Sequence, residues 1–131
     1  MIFTWIFIAA LVALVAYIRF APSDPGYWHV MPEEVVHKAF DAGVIRVVET
    51  GSDGLARLDP VARGWPRTRV LAGSVEEGMI TYVTRTALWG FPDYTTVRQA
   101  GGQMQIYARL RFGRKDFGVN RARVEAWLEA L

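Results

Sequence analysis

Residues 2–18 carry no charged side chain, and as a helix such a run extends about 26 Å, the thickness of a bilayer core. Trp5 lies near one end of it and Tyr17 with Arg19 near the other, residue types that settle at membrane interfaces. The pattern predicts a transmembrane anchor over residues 1–20. A cleaved signal peptide would need a basic stretch ahead of the apolar run and a small-x-small site before Pro22, and the sequence has neither. Arg19, the only charge near either end, would hold the rest of the chain in the cytoplasm by the positive-inside rule. Small bacterial proteins with an N-terminal signal anchor nevertheless usually export the domain attached to it. The expectation is a single pass through the inner (cytoplasmic) membrane with the domain on the periplasmic side.

Beyond the anchor the pattern changes. Residues 21–27, with Pro22, Pro25 and Gly26, read as a linker, because two prolines and a glycine continue neither a helix nor a sheet. Pro32, Glu33 and Glu34 resemble the first turn of a helix that carries Val35, Val36, Ala39 and Phe40 and stops at Gly43. A β-branched strand comes next over 44–49, then a second helix capped by Ser52, with Leu55, Leu58 and Ala62 on one face and Pro60 as its limit. Strands are predicted over 67–73, 79–86, 93–98 and 103–112, separated by turn-forming segments. The last is the clearest: Met104, Ile106, Ala108, Leu110 and Phe112 share one face, and Gln103, Gln105, Tyr107, Arg109 and Arg111 the other. Asn120 then caps a final helix whose Val124, Trp127, Leu128 and Leu131 form an apolar stripe. These elements predict an α+β domain over 28–131, with helices packed on one face of an antiparallel sheet.

Composition narrows the functional classes. About 110 residues after the anchor suffice for one domain and not two. The chain has no cysteine, which removes disulfides, thiolate chemistry and zinc–thiolate or iron–sulfur sites. Residues 19–60 hold four basic and seven acidic side chains, and 61–131 hold eleven basic and six acidic. The cationic excess is spread over strands, loops and a helix, so it fits an anionic partner or lipid surface and not nucleic acid.

Candidate chemistry is sparse. His29 and His37 are the only histidines, and their spacing suits no helical ligand pair, so no metal or cofactor is expected. Ser74 lacks the Gly-x-Ser-x-Gly elbow of a nucleophile and reads as a turn serine. The adjacent pairs Glu33-Glu34 and Glu76-Glu77 diverge on any regular backbone and cannot serve one substrate as acid and base. Two clusters remain. Trp89, Phe91 and Tyr94 lie in a Gly- and Pro-containing turn, as rings that complete the core or as a contact surface for a partner or lipid headgroups. Arg109, Arg111 and Arg114, with Lys115, Arg121 and Arg123, form a basic group. Arg121 and Arg123 fall in the first turn of the last helix, where cations are disfavoured. Glu125 at i+4 and Asp116 are the local compensation, and an external anion is the alternative. Arg109 and Arg111, on the polar face of the last strand, are expected to project away from the core toward a partner or lipid phosphates.

Several blocks also resemble a known family. They are Ala21-Pro22-Ser23-Asp24-Pro25 with Trp28-His29-Val30; Thr81-Tyr82-Val83-Thr84-Arg85 followed by Trp89-Gly90-Phe91-Pro92-Asp93-Tyr94-Thr95-Thr96-Val97; and Ala108-Arg109-Leu110-Arg111-Phe112-Gly113-Arg114 with Asp116, Gly118, Val119, Asn120, Arg121, Arg123 and Val124. Together these are similar to domain-of-unknown-function family 1499. The resemblance implies a bacterial or plastid origin and frequent attachment to membranes, and no particular activity. The anchor, the short linker and the lack of a catalytic constellation point to a non-enzymatic accessory or assembly subunit of a larger membrane complex, with bioenergetic complexes among the candidates. The alternative is a membrane-tethered binding domain for a lipid or other small amphiphile, held in a cavity lined by the face running from Met104 to Phe112.

Overall fold

Strict alternation along the last strand sets the two sides of the sheet. In the computed structural model, which describes residues 1–131, Met104, Ile106 and Ala108 are fully buried on one side of that strand. The chain runs α1 (Ile2–Phe20), α2 (Pro25–Trp28), β1 (Lys38–Phe40), β2 (Gly43–Glu49), α3 (Gly54–Arg63), β3 (Thr68–Ser74), β4 (Met79–Arg85), β5 (Pro92–Ala100), β6 (Gln103–Leu110) and α4 (Val119–Glu129). The six strands form one antiparallel sheet in the order β1-β2-β6-β5-β4-β3. The protein is therefore α+β, with one helix, α1, long and apolar enough to cross a membrane.

Helices α3 and α4 cover one face of the sheet. Trp127 is fully buried there, edge-on to Tyr82 at 5.6 Å and to Trp65 at 6.4 Å. Leu55, Leu58, Ala62 and Val124 close the same core against Val44, Ile80, Val97, Met104, Ile106 and Ala108. Burying that many large apolar side chains is the main stabilising term. It also fills the face along which the alternative, amphiphile-binding reading places a cavity. Asp93 reaches this side too, where Arg123 pairs with it at 3.1 Å and with Asn120 Oδ1 at 2.9 Å. Burial raises the Asp93 pKa, while the Arg123 guanidinium beside it pulls the other way.

Four local expectations need correction. Residues 32–37 form no helix, and Lys38–Phe40 is an edge strand whose register places Ala39 opposite Val44 and Phe40 opposite Gly43. Pairing with β2 outweighed the acidic first-turn signal, and Gly43 is required where the strands approach, since a Cβ there would lie 1.9 Å from the Ala108 carbonyl oxygen. The predicted linker contains a helix, α2, because Pro25 occupies its first turn, where a missing N–H costs nothing, and Asp24 caps it by accepting from the Gly26 N–H at 2.9 Å. Helix α3 is preceded by Asp53 and continues through Pro60 to Arg63, with Pro60 and Ala56 both on its exposed side, where water can satisfy the Ala56 carbonyl. Asn120 lies inside α4, not ahead of it. Asp116 does the capping, accepting from the Gly118 N–H at 2.9 Å, the Asn120 N–H at 3.0 Å and the Asn120 side-chain amide at 2.9 Å.

Candidate functional site

The second face of the sheet carries Thr81, Val83 and Arg85 from β4, Tyr94 and Thr96 from β5, and Tyr107 and Arg109 from β6. Register sets Thr81 opposite Thr96 and Tyr94 opposite Arg109. The segment that joins α1 to the domain lies across this face. The Trp28 ring stacks on Tyr94 with centroids 3.9 Å apart and planes 12° from parallel. His29 Nδ1 is 2.8 Å from Thr81 Oγ1, which is 2.8 Å from Thr96 Oγ1. Arg109 closes the chain, donating to Thr96 Oγ1 at 2.8 Å, to the Tyr107 carbonyl at 3.0 Å and to the Trp28 carbonyl.

Arg109 points away from the helix-covered core, yet it is buried and not open to a partner, because Trp28 and α2 cover the polar face that alternation alone left open. No carboxylate pairs with it. Its charge rests instead on carbonyl oxygens and on the Tyr107 ring, whose centre is 4.2 Å from Cζ. Burial lowers its pKa to about 10, so it remains cationic at neutral pH.

At the end of the sheet nearest α1, three more arginines grip the junction. Arg111 donates to the Pro22 carbonyl at 3.0 Å and to the Tyr94 hydroxyl at 3.1 Å, which also bonds Ser23 Oγ at 2.6 Å. Arg85 donates to the Ile18 carbonyl at 3.3 Å and to the Gly90 carbonyl at 2.8 Å. Arg19 reaches the Leu88 carbonyl at 3.5 Å. The acceptor on Ile18 is one of the carbonyls left open where a helix ends, so Arg85 caps α1 from a distant strand. Gly90, with φ of +73°, turns the chain here, and a Cβ on it would meet Arg19 Cγ at 3.1 Å.

Arg67 and Arg69 complete this end. With Arg19 and Arg85 they line a recess of about 460 Å³. Burial depresses the Arg85 pKa; Tyr94 opposes this, and the neighbouring charges of Arg69, Arg111 and Arg19 lower it further. The molecule's five salt bridges join Arg46 and Arg121 to Glu125, Arg57 to Asp53, Arg63 to Asp59 and Arg123 to Asp93. None involves an arginine of the recess.

The aromatic residues singled out in the sequence separate. Tyr94 is fully buried under Trp28. Phe91 is half-buried, its ring 6.4 Å from Phe112, and its backbone pairs with Thr86 through the Thr86 hydroxyl at 2.9 Å and the Thr86 N–H at 3.0 Å. Trp89 alone is well exposed, and with Leu11, Val12, Val15 and Ala16 it borders an apolar groove along α1. Arg114 lies exposed on the loop after β6. Ser74 Oγ accepts from the Glu77 N–H at 3.1 Å, as a turn serine does, and the His37 ring accepts from the Val47 N–H at 3.4 Å. Arg19, Arg67, Arg69 and Arg85 were missed. The alternation Thr81, Val83, Arg85 in a recognised strand was the available signal, since it places Arg85 on the side away from the apolar core.

A family model described as protein of unknown function (DUF1499) matches residues 30–131. The chain belongs to this family. The DUF1499 span takes in all six strands with α3 and α4, and starts just after the Trp28 and His29 that lie across the sheet. No curated protein and no solved structure matches the chain.

Proposed function

We propose that this DUF1499 protein is a non-enzymatic, membrane-anchored accessory or assembly subunit of a larger membrane complex. In this reading α1 is a retained anchor in the inner membrane, and the domain stands on the periplasmic side. One observation carries it: Arg85, Arg111 and Arg109 each donate to a main-chain carbonyl, on Ile18 in the last turn of the anchor and on Pro22 and Trp28 in the segment that leaves it. A domain on a loose tether needs no such bonds. Hydrogen bonds from charged donors are worth about 1.5–3 kcal/mol where they are buried, as at Arg109, and less than about 1 kcal/mol where water competes, as at Arg111, and three in series hold the domain at a set height and angle to the bilayer. Such a fixed stance suits a subunit that must present one surface to membrane-embedded neighbours.

The test is purification in mild detergent through a tag at Leu131, with partners identified by mass spectrometry. Inserting about eight glycine and serine residues after Ala21 separates the anchor from the Arg111 and Arg109 bonds and allows about 28 Å of excursion at the limit of extension. The native chain should recover defined membrane subunits and the lengthened chain should lose them. Recovery of the native chain alone would remove the accessory role.

A second reading, binding of a lipid or small amphiphile by the tethered domain, is favoured by the arginine-lined recess beside the anchor. The helix-covered face offers no room for it, because Trp127 and its neighbours fill that side.

A further inference from the structure

Two features meet at the C-terminal end of α1. The first is the recess whose cationic groups are Arg19, Arg67, Arg69 and Arg85, with no carboxylate within ion-pair distance of any of them. Bringing like charges together without a counter-charge is unfavourable. Their own hydrogen bonds leave capacity unused: Arg85 spends Nη1 on two carbonyls, Arg67 spends Nε on the Arg85 carbonyl at 3.0 Å, and Arg19 spends Nη1 on Leu88. Each guanidinium has five N–H donors. The second feature is the groove of about 430 Å³ that runs from the same Arg19 and Phe20 along α1 toward Leu11, bordered by Trp89 and exposing only apolar surface.

We infer that this junction binds an anionic phospholipid, its phosphate held among Arg19, Arg67, Arg69 and Arg85 and an acyl chain lying in the groove between Trp89 and α1. The order of the two halves is what a membrane lipid requires. Arg19 ends the apolar span, at the depth where headgroups lie. The groove descends from there into the hydrocarbon layer, and the recess opens on the side of the domain. Guanidinium groups match phosphate oxygens in paired hydrogen bonds, and a negative charge in the recess offsets the mutual repulsion of its arginines, which adds to the burial that depresses the Arg85 pKa. A soluble anion would use the recess and leave the apolar groove without a function. This inference rests on the amphiphile-binding reading and is independent of any partner subunit.

Native mass spectrometry of the full chain released from nanodiscs tests it, using discs of equimolar phosphatidylglycerol and phosphatidylcholine. The intact protein should retain phosphatidylglycerol at least tenfold over phosphatidylcholine. Arg67→Gln with Arg69→Gln should cut that retention about tenfold or more, since two basic side chains at an anionic surface together contribute attraction of about that order. Arg57→Gln, on α3 across the sheet, should leave it unchanged. Arg69→Gln alone, whose side chain makes no hydrogen bond, serves if the double variant loses its native melting temperature. Equal retention of both lipids, unaffected by the variants, would overturn the headgroup assignment and leave amphiphile binding standing. Retention of neither lipid would overturn both. Displacement of phosphatidylglycerol by millimolar inorganic phosphate would identify a free-anion site and overturn the lipid.

Discussion

The Trp28 indole lies nearly flat on the Tyr94 ring, with centroids 3.9 Å apart, and this stack joins the segment leaving α1 to the central strands of the sheet. Below it run the Arg109 bonds to the Trp28 carbonyl and to Thr96. Replacing Trp28 with alanine removes the stack and admits water to Arg109. The variant should lose about 2 kcal/mol of unfolding free energy and should be cut by trypsin at Arg19 several-fold faster in detergent. Unchanged stability together with unchanged cleavage would show that the segment is held without the ring.

Arg109 and Arg111 lie two residues apart on one face, yet their substitutions should differ. Arg109→Gln leaves the Trp28 carbonyl and the Thr96 hydroxyl short of a donor in a buried site, a loss of about 2–3 kcal/mol. Arg111→Gln, at a half-buried position where water can replace the guanidinium, should cost less than about 1 kcal/mol. Denaturant melts of the two variants check the order. Equal losses would mean that Arg109 is not enclosed by Trp28 in solution.

Tyr82 gives a pH dependence of defined sign. Its hydroxyl donates to Asp59 Oδ1 at 2.7 Å, and burial, followed by that bond and the Asp59 charge, raises its pKa well above the ordinary tyrosine value. Above about pH 10 the unfolded chain releases this proton and the folded chain keeps it, so stability falls by about 1.4 kcal/mol per pH unit from this group. Arg109, with its lowered pKa, acts in the opposite direction over the same range. The difference between the native chain and Tyr82→Phe isolates the tyrosine. Stability curves of the two should run parallel below about pH 9 and converge above about pH 10, where tyrosine ordinarily ionises. Curves that stay parallel to about pH 11 would refute the assignment.

Elements with long periodic patterns were legible in the sequence. The alternation from Met104 to Ala108 and the spacing of Val124 and Trp127 placed β6 and α4 on a shared core, and all five of those residues are fully buried. The pairing of Arg121 with Glu125 was also legible, since it depends only on residues one helical turn apart, and it closes at 3.3 Å. Strand β1 was not, because three residues carry no period and only their pairing with β2 makes them a strand. The burial of Arg109 was hidden for a different reason. Alternation assigns a side chain to a face, but what covers that face is decided by Trp28, 81 positions away along the chain. The arginines of the recess come from α1, β3, β4 and the residue before β3, and no local pattern groups them.

Charge pairing in this domain is sorted by side. Arginines on the helix-covered side find carboxylates, while those nearest α1 find carbonyl and hydroxyl oxygens or nothing. The arginines left without a carboxylate gather where the domain meets α1. In the membrane-anchored arrangement proposed above, an anionic bilayer would attract the same side that α1 tethers, and orientation would be set twice, once by a covalent link and once by a field. Cut free of α1, the domain should still settle on an anionic surface the same way up, with its helices turned outward.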